Sequence, residues 1–458
     1  MIRVDDSITP ESLLPDLEHF WTLSGAKIRD IEASWKPEDG SPVFTVEGRY
    51  TTQGWTEWTQ GFQYGSAILQ YDATSDETFL EIGRRKTVEV MATHVSHTGV
   101  HDHGFNNVST YGNLLRLMNE GRISENAWER RFYELAIKLS GAVQASRWSR
   151  TDDGGGYIYS FNGPQSLFSD TIRSLRALAL AYRLGHVLMT ERDEPVSLLE
   201  RLIQHASTTA RYNVYYGEGR DVYDVRGRVA HESLFNTNNG NYRCPSTQQG
   251  YSPFSTWTRG LAWMVLGYPE LLEFMATLDE GELEPFGGRE SVEGMMLKAA
   301  RVSADFYIEN TPTDGIPYWD TGAPGLAAMD DYLHRPADPF NEHEPVDSSA
   351  GCIACQGLIR LGSVLERRGE TDAGTHYLRA GLTVLKTLLD DPYLSHSKAH
   401  QGLVLHAVYH RPNGWDHVPQ GHVVPSGEAC LWGDYHAREA ALYVQRMAKR
   451  LPDYKFFG

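Results

Sequence analysis

Two carboxylates, Asp102 and Asp170, each stand where a polar loop runs into a helical pattern, in His101-Asp102-His103-Gly104-Phe105 and Phe168-Ser169-Asp170-Thr171-Ile172. Both are set among apolar and aromatic residues. Facing each other across a pocket, two such groups would have their pKa values driven apart. In an ordinary glycosidase one then protonates the leaving oxygen while the other attacks or activates water. Capping is the plain alternative for each, because Asp is a favoured residue at a helix start. A neutral His101 beside Asp102 suits substrate binding or proton handling.

The aromatic residues fall in the same kind of place. Trp58-Thr59-Gln60-Gly61-Phe62 and Trp257-Thr258-Arg259-Gly260-Leu261-Ala262-Trp263 each open a long helical pattern. Indole packs on the C–H face of a pyranose, and a helix start offers unpaired N–H groups and partial positive charge suited to a carboxylate. An acidic sugar would use both. Arg259 and Trp263 are four apart and share a helix face, so a guanidinium fork could hold a carboxylate while the indole packs the ring. Gln249, in Gln248-Gln249-Gly250-Tyr251, completes this group.

Two other clusters look like metal sites. His94, His97, His101, Asp102 and His103 crowd into ten residues, but their spacing is not that of a helical zinc motif. Cys352-Ile353-Ala354-Cys355 has no second CxxC and lies in a small-residue helical stretch, which points to close helix packing. No metal and no cofactor is expected.

The elements that must position these groups are helical. Apolar spacing predicts helices over 61–73, 76–92, 105–119, 124–144, 169–188, 194–209, 256–276, 291–309, 347–367, 371–389 and 433–449. Phe44-Thr45-Val46-Glu47-Gly48-Arg49-Tyr50 suggests a short strand, and 210–235 a hairpin. Stretches 150–168, 210–255, 311–346 and 390–432, rich in Gly, Pro, Asn, Asp and aromatics, read as long loops. Short and long connections alternate, as in helical hairpins that stack or close into a toroid. No linker divides the 458 residues, so one domain over 1–458 is expected, with 1–50 as a peripheral segment.

Apolar residues make up 41% and charged residues 22%, ordinary for a soluble globular protein. The net charge of −18 argues against nucleic acid and anionic membrane as partners. A short acidic oligosaccharide reaching a local Arg/His pocket remains compatible with it. The start, Met1-Ile2-Arg3-Val4, lacks the pattern of a signal peptide and no apolar run is long enough to span a bilayer. A cytoplasmic location is the expectation, or periplasmic if a leader has been removed, and the four cysteines are too few for a disulfide framework.

Taken together, the phrases resemble glycoside hydrolase family 88, the unsaturated glucuronyl hydrolases. The resemblance runs from about Trp58 to Tyr435 and adds Ile316-Pro317-Tyr318-Trp319-Asp320, Asp347-Ser348-Ser349-Ala350 and Trp432-Gly433-Asp434-Tyr435 to the phrases above. It implies an all-α fold, an (α/α)6 barrel with a few short strands in loops. It also implies Asp170 as general acid/base with Asp102 as its essential neighbour. Trp58, His101, His231, Gln249, Arg259 and Trp263 would line the unsaturated uronate subsite. The implied reaction hydrates the carbon 4 to carbon 5 double bond left by a polysaccharide lyase, without metal or cofactor. Asp170 would protonate carbon 4, which requires a raised pKa. Gln248 and Leu261 depart from the family's usual His and Gln, and 206–230 looks longer than typical, which bears on linkage and leaving sugar.

Other functions are compatible with these residues. An unsaturated rhamnogalacturonyl hydrolase or a saturated glucuronide hydrolase would use the same barrel. A sugar epimerase or polysaccharide lyase would favour His or Tyr bases over an Asp pair, and a non-catalytic uronide-binding protein would not need the Asp pair. A monomer and a homodimer are equally compatible with the sequence.

Overall fold

Twelve long helices alternate between two layers in the computed structural model, which describes residues 1–54 and 57–457. They are α1 (Leu14–Ser34), α2 (Gln60–Thr74), α3 (Glu77–Val90), α4 (103–119), α5 (Ala127–Ser146), α6 (171–183), α7 (Leu198–Tyr212), α8 (Thr258–Met275), α9 (Gly288–Glu309), α10 (Ser348–Arg367), α11 (Thr371–Leu388) and α12 (Leu431–Ala448). The even-numbered helices are buried almost throughout. The odd-numbered ones bury one face and leave the other to solvent, as an amphipathic outer helix should. Contacts run α2–α4–α6–α8–α10–α12 and back to α2, so the inner helices form a closed ring. This is the (α/α)6 barrel expected from the sequence.

Small residues let the inner helices come this close. A Cβ on Gly104 of α4 would lie 2.2 Å from the Ser174 carbonyl oxygen of α6, and one on Gly357 of α10 would lie 2.4 Å from that of Val265 in α8. Cys352 and Cys355 are buried free thiols in the same small-residue helix, in keeping with packing. Among the described residues this helix is also long and apolar enough to cross a membrane, unlike the sequence expectation, but here it is a fully buried inner helix.

Several boundaries differ from the sequence expectation. The segment 1–50, expected to be peripheral, contains the twelfth helix, α1, whose Leu17, Phe20, Trp21 and Ile28 are buried against α2 and α12. The helix expected at 169–188 breaks at Leu175, ends at Arg183 and gives way to a hairpin of Val187–Met189 with Pro195–Ser197. The helix expected at 105–119 contains a π-turn, Val108–Gly112. The hairpin expected within 210–235 is present as a short antiparallel bridge of Val214 with Val229, and a separate ladder follows it, in which Glu232–Phe235 pairs antiparallel with Tyr242–Ser246 on one side and Ser166–Phe168 on the other. The single strand expected over 44–50 is instead two, Phe44–Val46 and Arg49–Thr51, paired antiparallel across a turn at Glu47 and Gly48, both at positive φ.

Candidate active site

The inner helices all run in the same sense, so their N-termini gather at one end of the ring. There they surround a cavity of about 530 Å³. Trp58 enters it from the start of α2, His101, Asp102 and Phe105 from α4, Asp170 from α6, and Trp257, Arg259 and Trp263 from α8. Gln248 and Gln249 come from the loop before α8, and Tyr409, Asn413 and Trp415 from the loop before α12.

Asp102 and Asp170 both sit at N-cap positions, yet neither side chain caps its helix. Their carboxylates instead converge on one ring nitrogen: His101 Nε2 is 3.2 Å from Asp170 Oδ1 and 3.6 Å from Asp102 Oδ1. The His101 main chain is clamped, because its carbonyl accepts hydrogen bonds from Gln144 Nε2 and Ser174 Oγ, each at 2.8 Å. Its ring lies parallel to Phe161 and edge-on to Phe168. Asp170 follows the strand Ser166–Phe168 and is held beside His231 by the Ser169 N–H, which donates to the His231 carbonyl at 2.8 Å.

These contacts set the proton affinities. Burial opposes charge on His101, but Asp102 and Asp170 overcome it and hold its pKa above the usual value. Burial pushes the Asp102 carboxyl up to about 6, with His101 opposing and Asp170 adding to the rise. Burial acts on Asp170 in the same sense, yet the positive charge and hydrogen bond of His101 outweigh it and leave Asp170 below the ordinary carboxylate value. The expectation of a raised Asp170 is therefore reversed by its contact with His101. Asp170, which makes the closer contact with the His101 ring, is thus the more acidic of the two carboxyls.

Linkage converts the Asp102 shift into a stability effect. A buried carboxyl raised from 3.8 to about 6 contributes stability below 3.8 that is lost as pH rises through 6, a difference of about 3 kcal/mol. Asp102→Asn is accordingly expected to raise Tm at pH 7.5 and to leave it nearly unchanged at pH 4. Equal Tm increments at the two pH values in scanning calorimetry would contradict this.

The other residues expected in the cleft divide into two groups. Trp58 and Trp263 line it, Trp58 stacked on Trp432 at 5.0 Å and Trp263 against Phe105 at 4.9 Å. Gln249 also lines it. Arg259 borders the cavity, but its terminal nitrogens are occupied: Nη1 donates to Asp347 Oδ2 (2.9 Å) and the Val408 carbonyl (2.5 Å), Nη2 to Gln249 Oε1 (2.9 Å) and the Tyr409 carbonyl (2.6 Å). It ties two loops together, and the carboxylate fork expected of it is not free. Because arginine only donates, Gln249 must turn its Oε1 toward it, which leaves Nε2 as the donor available to a ligand.

His231 lies behind the cavity wall and does not line it, contrary to expectation. Its Nδ1 accepts the backbone N–H groups of Gln248 (3.1 Å) and Gln249 (3.3 Å), which shapes the glutamine turn. Burial pushes its pKa down to about 3, so it is a neutral imidazole. The histidines that suggested a metal also part company: His94 Nε2 meets Gln60 Oε1 at 2.7 Å, while His103 bonds Ser140 Oγ and the His97 carbonyl. No cluster among the described residues could hold a metal ion. Ser395-His396-Ser397-Lys398 lies away from the cavity, where Ser395 Oγ and the Ser397 carbonyl accept from Lys27 Nζ.

Sequence reasoning missed Phe161, Tyr409, Asn413 and Trp415 as cavity residues. The signal was present in Tyr409-His410-Arg411-Pro412-Asn413-Gly414-Trp415, another aromatic and turn-rich cluster before an inner helix.

No protein-family model matches the chain. It is 23% identical over 393 residues to an unsaturated glucuronyl hydrolase of Formosa agariphila, covering 85% of this chain and 80% of the relative. It is 26% identical over 403 residues to the unsaturated glucuronyl hydrolase of Bacillus sp. strain GL1, covering 87% and 89%. A crystal structure of an unsaturated glucuronyl hydrolase specific for heparin superposes with a TM-score of 0.71 at 18% identity, over 96% of this chain and 99% of that one. The chain thus has the (α/α)6 barrel of the unsaturated glucuronyl hydrolases and resembles that family over most of its length.

Proposed function

We propose that the protein is a glycoside hydrolase that removes the terminal 4,5-unsaturated uronic acid from lyase-generated oligosaccharides by hydrating the vinyl ether. The observation that carries this is the pair of uncapped carboxylates, Asp102 and Asp170, joined through His101 Nε2 inside an aromatic cavity. Relatives named for unsaturated uronides support the substrate class.

The uronate ring packs among Trp58, Trp257 and Trp263, and its carboxylate faces Gln249 Nε2 and the helix N-termini, whose partial charges favour an anion. Binding excludes water and brings a negative charge close to Asp170. Both effects raise its pKa and draw the proton from His101. Asp170 then gives that proton to carbon 4. Water adds at carbon 5 as Asp170 takes one of its protons, and the resulting hemiketal opens, with release of the rest of the chain. Asp102 holds His101 in place, and when the products leave Asp170 returns the proton it took from water to His101.

The test is the ultraviolet absorbance of unsaturated disaccharides prepared by lyases from ulvan, chondroitin, heparin and gellan, alongside saturated glucuronides. Absorbance is expected to fall for one or more unsaturated substrates, with no product from the saturated ones. Cleavage of a saturated glucuronide with absorbance unchanged across the panel would overturn the proposal.

A further inference from the structure

The loop before α12 closes on itself between Tyr409 and Asp416. His410-Arg411-Pro412-Asn413-Gly414 makes a single helical turn, in which Pro412 fixes an early dihedral and Gly414 ends the turn at φ 64°. The His410 carbonyl accepts from the Asn413 N–H at 3.2 Å, and the Arg411 carbonyl from the Gly414 N–H at 3.0 Å. Asp416 then folds back on the start of the loop. Its Oδ1 accepts the main-chain N–H of Tyr409, and its Oδ2 accepts that of His410 at 3.1 Å. Tyr409 and His410 are 3% and 1% exposed, so removing the carboxylate would leave two buried N–H donors without this acceptor. Between the two ends the Trp415 ring packs near Tyr409 (5.3 Å) and His410 (4.9 Å).

The three cavity residues of this loop run from the interior outward. Tyr409 is buried beside Trp432 at 5.0 Å, Trp415 is half-buried and Asn413 is exposed. Asp102, Asp170 and Trp263 are all buried, so the ring that reacts sits deep and the sugar it is joined to lies toward Trp415 and Asn413. Arg259 anchors the start of the loop through the carbonyls of Val408 and Tyr409. The turn that carries Asn413 and Trp415 lies beyond that anchor and is closed by Asp416. We propose that Asp416 is a positioning residue for the leaving sugar, holding Trp415 and Asn413 at the mouth of the cavity through its two main-chain hydrogen bonds. Asp416 does not itself line the cavity. This inference rests on the hydration reading above.

The test compares the unsaturated disaccharide that the wild type turns over with the methyl glycoside of the same unsaturated uronate, which lacks a leaving sugar. Asp416→Ala is expected to raise KM for the disaccharide at least about tenfold more than for the methyl glycoside, with the loss in KM rather than kcat. Asp416→Asn keeps one acceptor oxygen for the two N–H groups, so the ratio should recover to about threefold, and this variant carries the test if the alanine variant unfolds. Fluorescence gives a readout without substrate. The emission of Trp415, taken as the difference from Trp415→Phe, should shift to the red in Asp416→Ala as the indole is wetted, and return part of the way in Asp416→Asn. Equal losses on the two substrates, a loss confined to kcat, or an unmoved Trp415 emission would reduce the clasp to a stability device and overturn the proposal. A wild type that hydrates none of the substrates would sink the hydration reading and the leaving-sugar role with it, whereas failure in the Asp416 variants alone leaves that reading intact.

Discussion

Asp170→Asn is expected to lower kcat/KM on the unsaturated disaccharide by about three orders of magnitude, with most of the loss in kcat. General acid/base catalysis contributes on the order of 10² to 10⁴, and here one carboxyl performs both proton transfers. The amide keeps the shape of the cleft and can still meet the imidazole, so substrate binding to the Trp58, Gln249 and Trp263 surfaces should persist and KM should change little. The same substitution removes one of the two anions that hold His101 above its usual pKa, so NMR titration should find that ring more acidic in the variant. The two readouts separate roles. A variant within tenfold of the wild type would exclude Asp170 as the acid/base and favour a His or Tyr base. A fallen kcat with an unmoved His101 pKa would keep the acid/base role but break the coupling through Nε2.

The parts of this site that were legible in the sequence share a physical signature: residues placed at the start of a helix. Asp102, Asp170, Trp58 and Trp257 all lie there, and a ring of parallel inner helices must bring such positions to one end. What depended on contacts between distant segments was not legible. Arg259 looks free in the sequence, but its acceptors include the main-chain carbonyls of Val408 and Tyr409, about 150 positions away. His231 shares this difficulty, since its role depends on the backbone N–H groups of Gln248 and Gln249. Helix α1 was hidden for another reason. Its buried face includes Ser24, Gly25 and Lys27, which interrupt the apolar period, and the Lys27 ammonium is satisfied by the distant 395–400 loop. The direction of the Asp170 shift could not be read either, because it depends on which carboxylate lies nearer to one nitrogen.

The second large effect is expected at a residue that does not line the cavity, Glu439. Its carboxylate is fully buried within the ring. There Oε2 accepts from Arg173 at 2.8 Å, and Oε1 accepts from Tyr435 (2.9 Å), Tyr454 (3.0 Å) and Arg176 (3.4 Å). Arg173 also donates to Glu270 at 2.6 Å, so this one cluster ties α6, α8 and α12 together. Burial disfavours the Glu439 charge, yet Arg173 and Arg176 outweigh it and hold its pKa far below the ordinary range. Glu439→Gln leaves two buried guanidinium groups sharing Glu270, and removing one partner from such a set typically costs about 3 to 5 kcal/mol. Urea unfolding at pH 7 should show the unfolding free energy falling by that amount, as a lower midpoint at unchanged slope. A depressed carboxylate contributes stability above its unfolded pKa of 4.5 and loses it as pH falls toward the folded value, so the gap between variant and wild type should narrow on acidification. Activity should fall too, because Arg173 stands one turn after Asp170 on α6 and holds that helix in the ring. A variant as stable as the wild type at pH 7 would mean that helix packing alone closes the barrel and that the buried ions only occupy it.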